Sequence, residues 1–178
     1  MVLPVAIINK HNGEQSPEVS MKSQIAFGRK ALAELRLLVR NRPDPVVING
    51  KRHLEFCDWQ ILGAFFGVSA YVVETKEITR ERPLESVPSI NALEVIGFWA
   101  RAEAWQDGKV VSAAEAECMT DEKNWKGKPR FQLRSMAQTR ACARVLRQYL
   151  QWVVKLPDDK GTPLVEPFAD IAAEEVEE

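Results

Sequence analysis

The sequence predicts an α+β domain in which a three-stranded antiparallel sheet packs on a long C-terminal helix. Two dipeptides with hairpin-turn chemistry, Asn49-Gly50 and Asp107-Gly108, lie between strand-like runs, and a helical pattern closes the body of the chain. The 178 residues are 46% hydrophobic and 28% charged, which excludes a mainly disordered chain. A chain of this length is expected to form one domain, with a body over residues 21–157.

The first half of the body is predicted to contain a helix, a β-hairpin and a short helix. Residues 1–20 are expected to be a flexible segment, because their second half is polar and contains Gly13 and Pro17. Apolar residues at helical spacing predict a helix over 21–40. Asn49-Gly50 favours a type I′ turn, whose two central residues both have positive φ, and residues 58–66 predict a short helix that ends at Gly67.

Three strands are predicted next, over residues 69–80, 92–105 and 109–119, with a loop from Pro83 to Pro88 between the first two. Alternate residues of the second and third strands are mostly small, so this face is expected to pack closely against a helix. Its members are Ile96, Phe98, Ala100, Ala102, Ala104, Ala114, Ala116 and Cys118. The opposite face carries Trp99, Arg101, Glu103, Trp105, Glu115 and Glu117.

The long helix, predicted from Pro129 to about Leu156, has an unusual charge pattern. No acidic residue occurs between Arg130 and Val154, and five arginines fall within one arc: Arg130, Arg134, Arg140, Arg144 and Arg147. The opposite side is expected to be apolar, with Phe131, Cys142, Leu146, Tyr149, Leu150 and Val153, and small residues separate the two sides at Ala137, Ala141 and Ala143. The arginines repel one another unless an anion lies across them.

Two interpretations of the arginines stay open at this point. Guanidinium groups bind phosphate in a bidentate manner and stack on bases, which favours a nucleic-acid surface. Alternatively, the arginines pair with Glu103, Glu115 or Glu117 on the sheet, or with a neighbouring subunit. Lys51, Arg52, Lys126 and Lys128 add cations on adjacent loops, and the aromatics available for base stacking are Tyr71, Trp99, Trp105 and Trp125, whereas Trp59 and Trp152 are expected in the core.

The sequence lacks the common catalytic motifs, so no enzyme activity and no cofactor are expected. There is no phosphate-binding loop for ATP, no Cys-x-x-Cys pair and no nucleophile elbow. Three well-separated cysteines make a structural zinc site improbable and fit a reducing cytoplasm. A metal nuclease that uses Glu115 and Glu117 is an alternative. No apolar run is long enough to span a membrane, and the first residues do not form a signal peptide.

Charge is distributed unevenly along the chain, although the net charge is only −1. From Pro163 onwards the chain carries acidic residues and no basic ones, within a predicted acidic tail over residues 158–178. The preceding part therefore has a small positive surplus, which is compatible with nucleic-acid binding. The tail is expected to increase solubility, to dock on a host replication or single-strand-binding protein, or to occupy the basic surface as an autoinhibitor.

The order of elements and the last helix resemble those of the single-strand annealing proteins. The residues that carry this resemblance are the short helix ending in Phe66-Gly67, the three strands, and the helical stretch TRACARVLR over 139–147. The family includes the eukaryotic Rad-fifty-two mediator and the phage recombinases Erf, RecT and Redβ. The stretch SMAQTRA over 135–141 is similar to a motif of phage and prophage members.

The resemblance implies a ring or filament of identical subunits that binds single-stranded DNA in an outer groove and anneals complementary strands without ATP. In the family, basic residues of the last helix contact the DNA backbone, and Arg144 and Arg147 fall on matching positions. A role in homologous recombination or repair, a phage or prophage origin and a cytoplasmic location are expected on the same ground. A double-stranded RNA or other nucleic-acid-binding module without annealing activity is the alternative function.

Overall fold

The computed structural model describes residues 17–44, 46–48, 51–84 and 87–157, and its elements follow the predicted order. They are α1 (Pro17–Arg40), β1 (Val47–Ile48), β2 (Lys51–Arg52), α2 (Phe56–Phe65), β3 (Val68–Leu84), β4 (Val87–Gln106), β5 (Lys109–Met119) and α3 (Arg130–Val154). The α+β class, with a three-stranded antiparallel sheet packed on the C-terminal helix, is confirmed. The acidic tail and residues 1–16 lie outside the described residues.

The first helix begins earlier than predicted. α1 includes residues 17–20, which the sequence had assigned to a flexible segment, and Pro17 suits a helical first turn because proline lacks only an N–H that has no partner there. Ala31, Leu32 and Leu35 of the predicted apolar stripe are buried. The stripe is shorter than expected, since Leu38 is more than half exposed.

An ion-pair cluster joins the end of α1 to the start of α2. Arg42 binds Glu55 at 2.6 Å and Asp58 with both ends of its guanidinium group, and the side chain of Asp58 is completely buried. Glu55 and Asp58 also form a capping box at the N-terminus of α2. Between these elements, β1 pairs antiparallel with β2, and Asn49 and Gly50, where the sequence predicts the turn, lie outside the described residues.

The sheet has the order β3-β4-β5, and its second hairpin turn confirms the prediction. Asp107 and Gly108 have φ values of 50° and 73°, so both central residues adopt the positive φ of a type I′ turn. β5 has the predicted bounds. Its alternate residues Ala114, Ala116 and Cys118 are buried, while Glu115 and Glu117 are exposed on the open face of the sheet.

The predicted loop between Pro83 and Pro88 is wrong. β3 continues to Leu84, β4 starts at Val87, and these two residues pair with each other. β3 is an edge strand, and an edge strand tolerates proline because half of its N–H groups point away from the partner strand. β5 pairs with β4 only as far as Gly97, and the part of β4 from Val87 to Val95 pairs with β3 as a two-stranded arm beyond the three-stranded sheet.

α3 packs against the sheet, and completely buried alanines lie on both of these elements. Ala137 and Ala141 on the helix and Ala100, Ala102 and Ala104 on β4 are all completely buried. Of the residues expected on the apolar side of the helix, Cys142, Leu146, Leu150 and Val153 are buried. The buried face also includes Ala137 and Ala141, which were expected between the two sides of the helix. Phe131, which was expected on the buried side, is 67% exposed.

The two tryptophans expected in the core differ in their burial. Trp59 of α2 is buried as predicted, and it packs in the core with Leu62 and Leu146. Trp152 near the end of α3 is 39% exposed and stacks edge-to-face on Phe66, which does the same with Phe27. Among the helices that the structure describes, none combines the length and apolar character needed to cross a lipid bilayer.

The alanine contact between helix and sheet generates the first prediction. Replacement Ala141→Leu adds a branched side chain at a position with no free space, and we expect it to lower the free energy of unfolding by about 1–3 kcal/mol. Urea unfolding followed by tryptophan fluorescence measures the change. Ala33→Leu, the same substitution at an exposed position of α1, is the control and is expected to have little effect. Equal stability of the two variants would contradict the packing described here.

Candidate nucleic-acid interface

Four exposed cations and one exposed aromatic side chain follow one another where the loop after β5 enters α3. Lys126 and Lys128 lie in the loop, and Arg130 and Arg134 lie on the first two turns of the helix. Phe131 lies between the two arginines in the sequence, and its side chain is 67% exposed. We call these five residues the basic turn.

The cations of the basic turn form no ion pairs with the carboxylates that the structure describes. The backbone explains how the loop brings them together. Gly127 has a φ of 73°, a left-handed conformation that favours glycine, and the N–H of Lys128 donates to the carbonyl oxygen of Trp125. Pro129 then precedes the first helical residue, Arg130.

This arrangement is electrostatically unfavourable for the folded chain by itself. Arg130 and Arg134 are four residues apart on a helix, a spacing at which like charges repel. Positive side chains at a helix N-terminus also oppose the helix dipole, and the first turn of α3 has neither an acidic residue nor a capping side chain. An anion at this position would relieve both effects and would accept hydrogen bonds from the first N–H groups of the helix.

Arg140 and Arg144 have a different environment, along the edge of the sheet. Nη1 of Arg140 donates to the carbonyl oxygen of Glu117 at 2.8 Å, and Nη1 of Arg144 donates to that of Glu115, also at 2.8 Å. The four helix residues from Arg140 to Arg144 advance about 6 Å and two strand residues advance about 6.6 Å, so the spacings match when α3 runs opposite to β5. The two arginines thus supply hydrogen-bond donors to a strand at the edge of the described sheet.

The five predicted arginines therefore do not form one outward row. Arg130 and Arg134 are exposed, whereas Arg140, Arg144 and Arg147 are half-buried, and Arg147 also makes a contact within the chain. The alternative, that the arginines pair with acidic side chains of the sheet, is also not what is seen for Arg140 and Arg144. These two bind the main chain of the residues concerned, because the carboxylates of Glu115 and Glu117 are on the open face of the sheet, opposite the helix.

Glu122 connects the loop, the helix and the sheet, and sequence analysis did not identify it. Its Oε1 accepts hydrogen bonds from the Met119 N–H at 2.7 Å and from Nη1 of Arg140 at 2.8 Å, and its Oε2 accepts one from Nη2 of Arg140 at 2.6 Å. Burial by itself raises the pKa of Glu122. The bonds from Arg140 and Met119 and the charge of Arg140 together outweigh burial, so the pKa lies below its ordinary value.

The other predicted cations of the site lie on the hairpin. The structure gives the backbone of Lys51 and Arg52 as β2 and does not describe their side chains, so it does not place them relative to the basic turn. Phe131 is the aromatic residue that sequence analysis missed. Its position in a helical pattern predicted burial, and only the observed contact face of α3 shows that it is exposed.

The aromatics predicted to stack on bases lie elsewhere or are partly covered. Trp125, within the loop, is half-buried and packs against the core. Trp99 is half-buried on the open face of the sheet, where Nζ of Lys76 lies 5.3 Å from the centre of its ring. Tyr71 and Trp105 are exposed on the sheet, and Tyr71 is 57% exposed.

Glu115 and Glu117, the residues of the nuclease alternative, share the open face of the sheet. Within the residues described, they are not joined by a third acidic, histidine or cysteine side chain in an arrangement that could hold a metal ion. Cys57, Cys118 and Cys142 are all free thiols. Burial raises the pKa of Cys142, so this thiol stays protonated.

The lowered pKa of Glu122 generates a pH-dependent prediction. A carboxyl whose pKa is lower in the folded than in the unfolded chain stabilises the fold above its unfolded pKa of about 4.3, and this contribution is lost as the pH falls through the folded value. We expect Glu122→Gln to cost about 1–2 kcal/mol at neutral pH and progressively less in acid. Urea unfolding of both proteins across this pH range measures the difference, and a difference independent of pH would contradict the assignment.

Comparison with known proteins identifies no family for the chain. No protein-family model matches it, and neither does any curated protein or any solved structure. The support for a function therefore comes from the exposures, contacts and charges of the basic turn and from the resemblance in element order.

Proposed function

We propose that this protein binds single-stranded DNA through the basic turn and anneals complementary strands without ATP, as a non-enzymatic protein of homologous recombination or repair. The observation that carries the proposal is the basic turn itself, in which four exposed cations without carboxylate partners in the described structure lie close in sequence to an exposed phenylalanine. Cations that track a backbone, combined with an aromatic platform for bases, are typical of binding to single strands without sequence preference.

Each part of the basic turn has a role in this proposal. The lysines and arginines neutralise phosphates and release counterions, which makes the affinity strongly dependent on salt. The arginines also bind phosphate oxygens in a bidentate manner. The ring of Phe131 stacks on the exposed face of an unpaired base. A paired base inside a double helix offers no such face, because its neighbours in the stack cover it.

Annealing and self-assembly are proposed on the resemblance rather than on the contacts. The stretch 139–147 and the order of elements resemble a family in which basic residues of the last helix contact DNA, and Arg144 and Arg147 fall on matching positions. Arg144 uses one N–H for the carbonyl of Glu115, and a guanidinium group has five N–H donors, so others remain for a phosphate. A ring or filament would combine many weak contacts through avidity.

We further propose a cytoplasmic location and a phage or prophage origin for the protein, in line with the resemblance. The acidic residues after Pro163, which lie outside the described residues, would dock on a host replication or single-strand-binding protein. No cofactor is required, because annealing forms only hydrogen bonds and stacking contacts between bases.

Substitution of the basic turn tests the binding site. We expect Arg130→Ala/Arg134→Ala to weaken binding of a fluorescent oligothymidylate about 20-fold at about 0.1 M salt and to reduce the slope of log affinity against log salt by about 1.4. Phe131→Ala is expected to cost about 1–3 kcal/mol and to leave that slope unchanged, since stacking releases no counterions. Fluorescence anisotropy at several salt concentrations measures both effects.

The matched control removes two positive charges elsewhere. Lys30→Ala/Lys109→Ala changes the net charge equally at exposed positions on α1 and β5, and we expect it to change affinity by less than about twofold. If this control weakened binding as much as the arginine double variant, binding would depend on overall charge, and the basic turn would not be the site.

Annealing is tested separately from binding. We expect complementary oligonucleotides to form a duplex faster with the protein than without it, in the absence of ATP, and unlabelled single-stranded DNA to compete for binding better than duplex RNA. A quenched-fluorophore assay and a competition gel shift measure the two properties. Preferential competition by duplex RNA, without accelerated annealing, would favour the alternative RNA-binding function.

A further inference from the structure

Glu122 forms hydrogen bonds with the sheet, with α3 and within the loop of the basic turn. Its carboxylate accepts three hydrogen bonds, one from the Met119 N–H at the end of β5 and two from Arg140 in α3. Its carbonyl oxygen accepts two more, from the N–H groups of Trp125 and Lys126, at 2.8 and 2.9 Å. One residue therefore links the sheet, the helix and the part of the loop that carries Lys126 and Lys128.

Two opposite roles are conceivable for a carboxylate in this position. Arg140 holds Glu122 with both ends of its guanidinium group, as it would hold a phosphate, so the carboxylate could compete with DNA for Arg140. Alternatively, the carboxylate fixes the loop, and DNA binds the exposed cations without displacing the carboxylate from Arg140. The two roles predict opposite changes in DNA affinity when Glu122 loses its charge: tighter binding if the carboxylate competes, and weaker binding if it fixes the loop.

The contacts favour the second role. The side chains of Glu122 and Arg140 are only 21% and 28% exposed, so this pair is shielded from solvent in a way that the cations of the basic turn are not. Displacement of the carboxylate by a phosphate would also leave the Met119 N–H without its acceptor, which is costly for a partly buried donor. A phosphate that binds at Lys126, Lys128, Arg130 and Arg134 needs no such displacement.

We propose that Glu122 is a positioning residue for nucleic-acid binding, which holds Lys126 and Lys128 beside Arg130 and Arg134 without contacting the ligand. This inference rests on the proposed function, because it assumes that the basic turn binds DNA. Glu122 would then be an acidic residue on which the affinity of a polyanion depends.

The experiment compares Glu122→Gln with Asp121→Asn, which removes the same charge from the adjacent exposed residue. Asp121 makes no hydrogen bond or ion pair in the described structure. We expect Glu122→Gln to weaken binding of a fluorescent oligothymidylate about tenfold at about 0.1 M salt and to lower the salt slope by about 1.4, because two lysines lose their positions. Asp121→Asn is expected to bind as tightly as wild type or slightly more tightly.

A second variant keeps the charge and serves if Glu122→Gln folds poorly. Glu122→Asp shortens the side chain by one methylene, so it cannot reach Arg140 and Met119 together, and we expect an affinity between those of wild type and Glu122→Gln. Tighter binding by Glu122→Gln than by Asp121→Asn, with a steeper salt slope, would show competition and overturn the proposal. A lower melting temperature with unchanged affinity and slope would show a purely structural role and overturn it as well.

A failure of DNA binding can be distinguished from a failure of the role proposed for Glu122. Wild-type protein that does not bind the oligothymidylate would refute DNA binding by the basic turn. Hydrogen exchange of the Trp125 and Lys126 amides, measured on the same proteins, then reports on the loop alone. Faster exchange in Glu122→Gln than in Asp121→Asn is expected, and equal exchange would overturn the positioning of the loop by Glu122.

Discussion

The close approach of α3 to the sheet is the contact on which the remaining arrangement depends. Alanine side chains are completely buried on both surfaces, and their small size allows the helix to lie near the strands. Larger side chains would move the helix outwards by the extra thickness of the layer. At that distance the guanidinium groups of Arg140 and Arg144 would no longer reach the main chain of β5. The packing of the buried alanines thus allows the guanidinium groups of Arg140 and Arg144 to bind the main chain of β5.

The arginines of α3 fall into two groups, according to whether an acceptor of the described structure lies within reach of the side chain. Arg140 lies beside the edge of the sheet and is neutralised by Glu122, which in turn holds the loop. Arg130 and Arg134 lie beyond this region, where the described structure offers no carboxylate partner. The same residue type therefore stabilises the fold in one half of the helix and leaves unbalanced charge in the other. That imbalance, together with the exposed ring of Phe131, is the physical basis for the proposed DNA site.

The sequence predicted the elements better than their contacts. The Asp107-Gly108 turn and the bounds of β5 follow from local conformational preference, and the structure has both. The exposure of Phe131 could not be predicted, because a helical wheel does not show which side the sheet will cover. The role of Glu122 depends on a partner 18 residues away in the chain, Arg140, and a polar loop carries no local sign of it. The continuous strand through Pro83 was missed because proline usually ends a strand, except at a sheet edge.

The two edges of the sheet are protected in different ways. On β5, the guanidinium groups of Arg140 and Arg144 occupy main-chain acceptors, so an incoming strand would have to displace two charged side chains. On β3, the register with β4 shifts between Val72 and Glu74 and again between Ile78 and Thr79, and such irregularities interrupt a template for strand addition. Amyloid-like growth by continuous backbone pairing is therefore disfavoured on both sides.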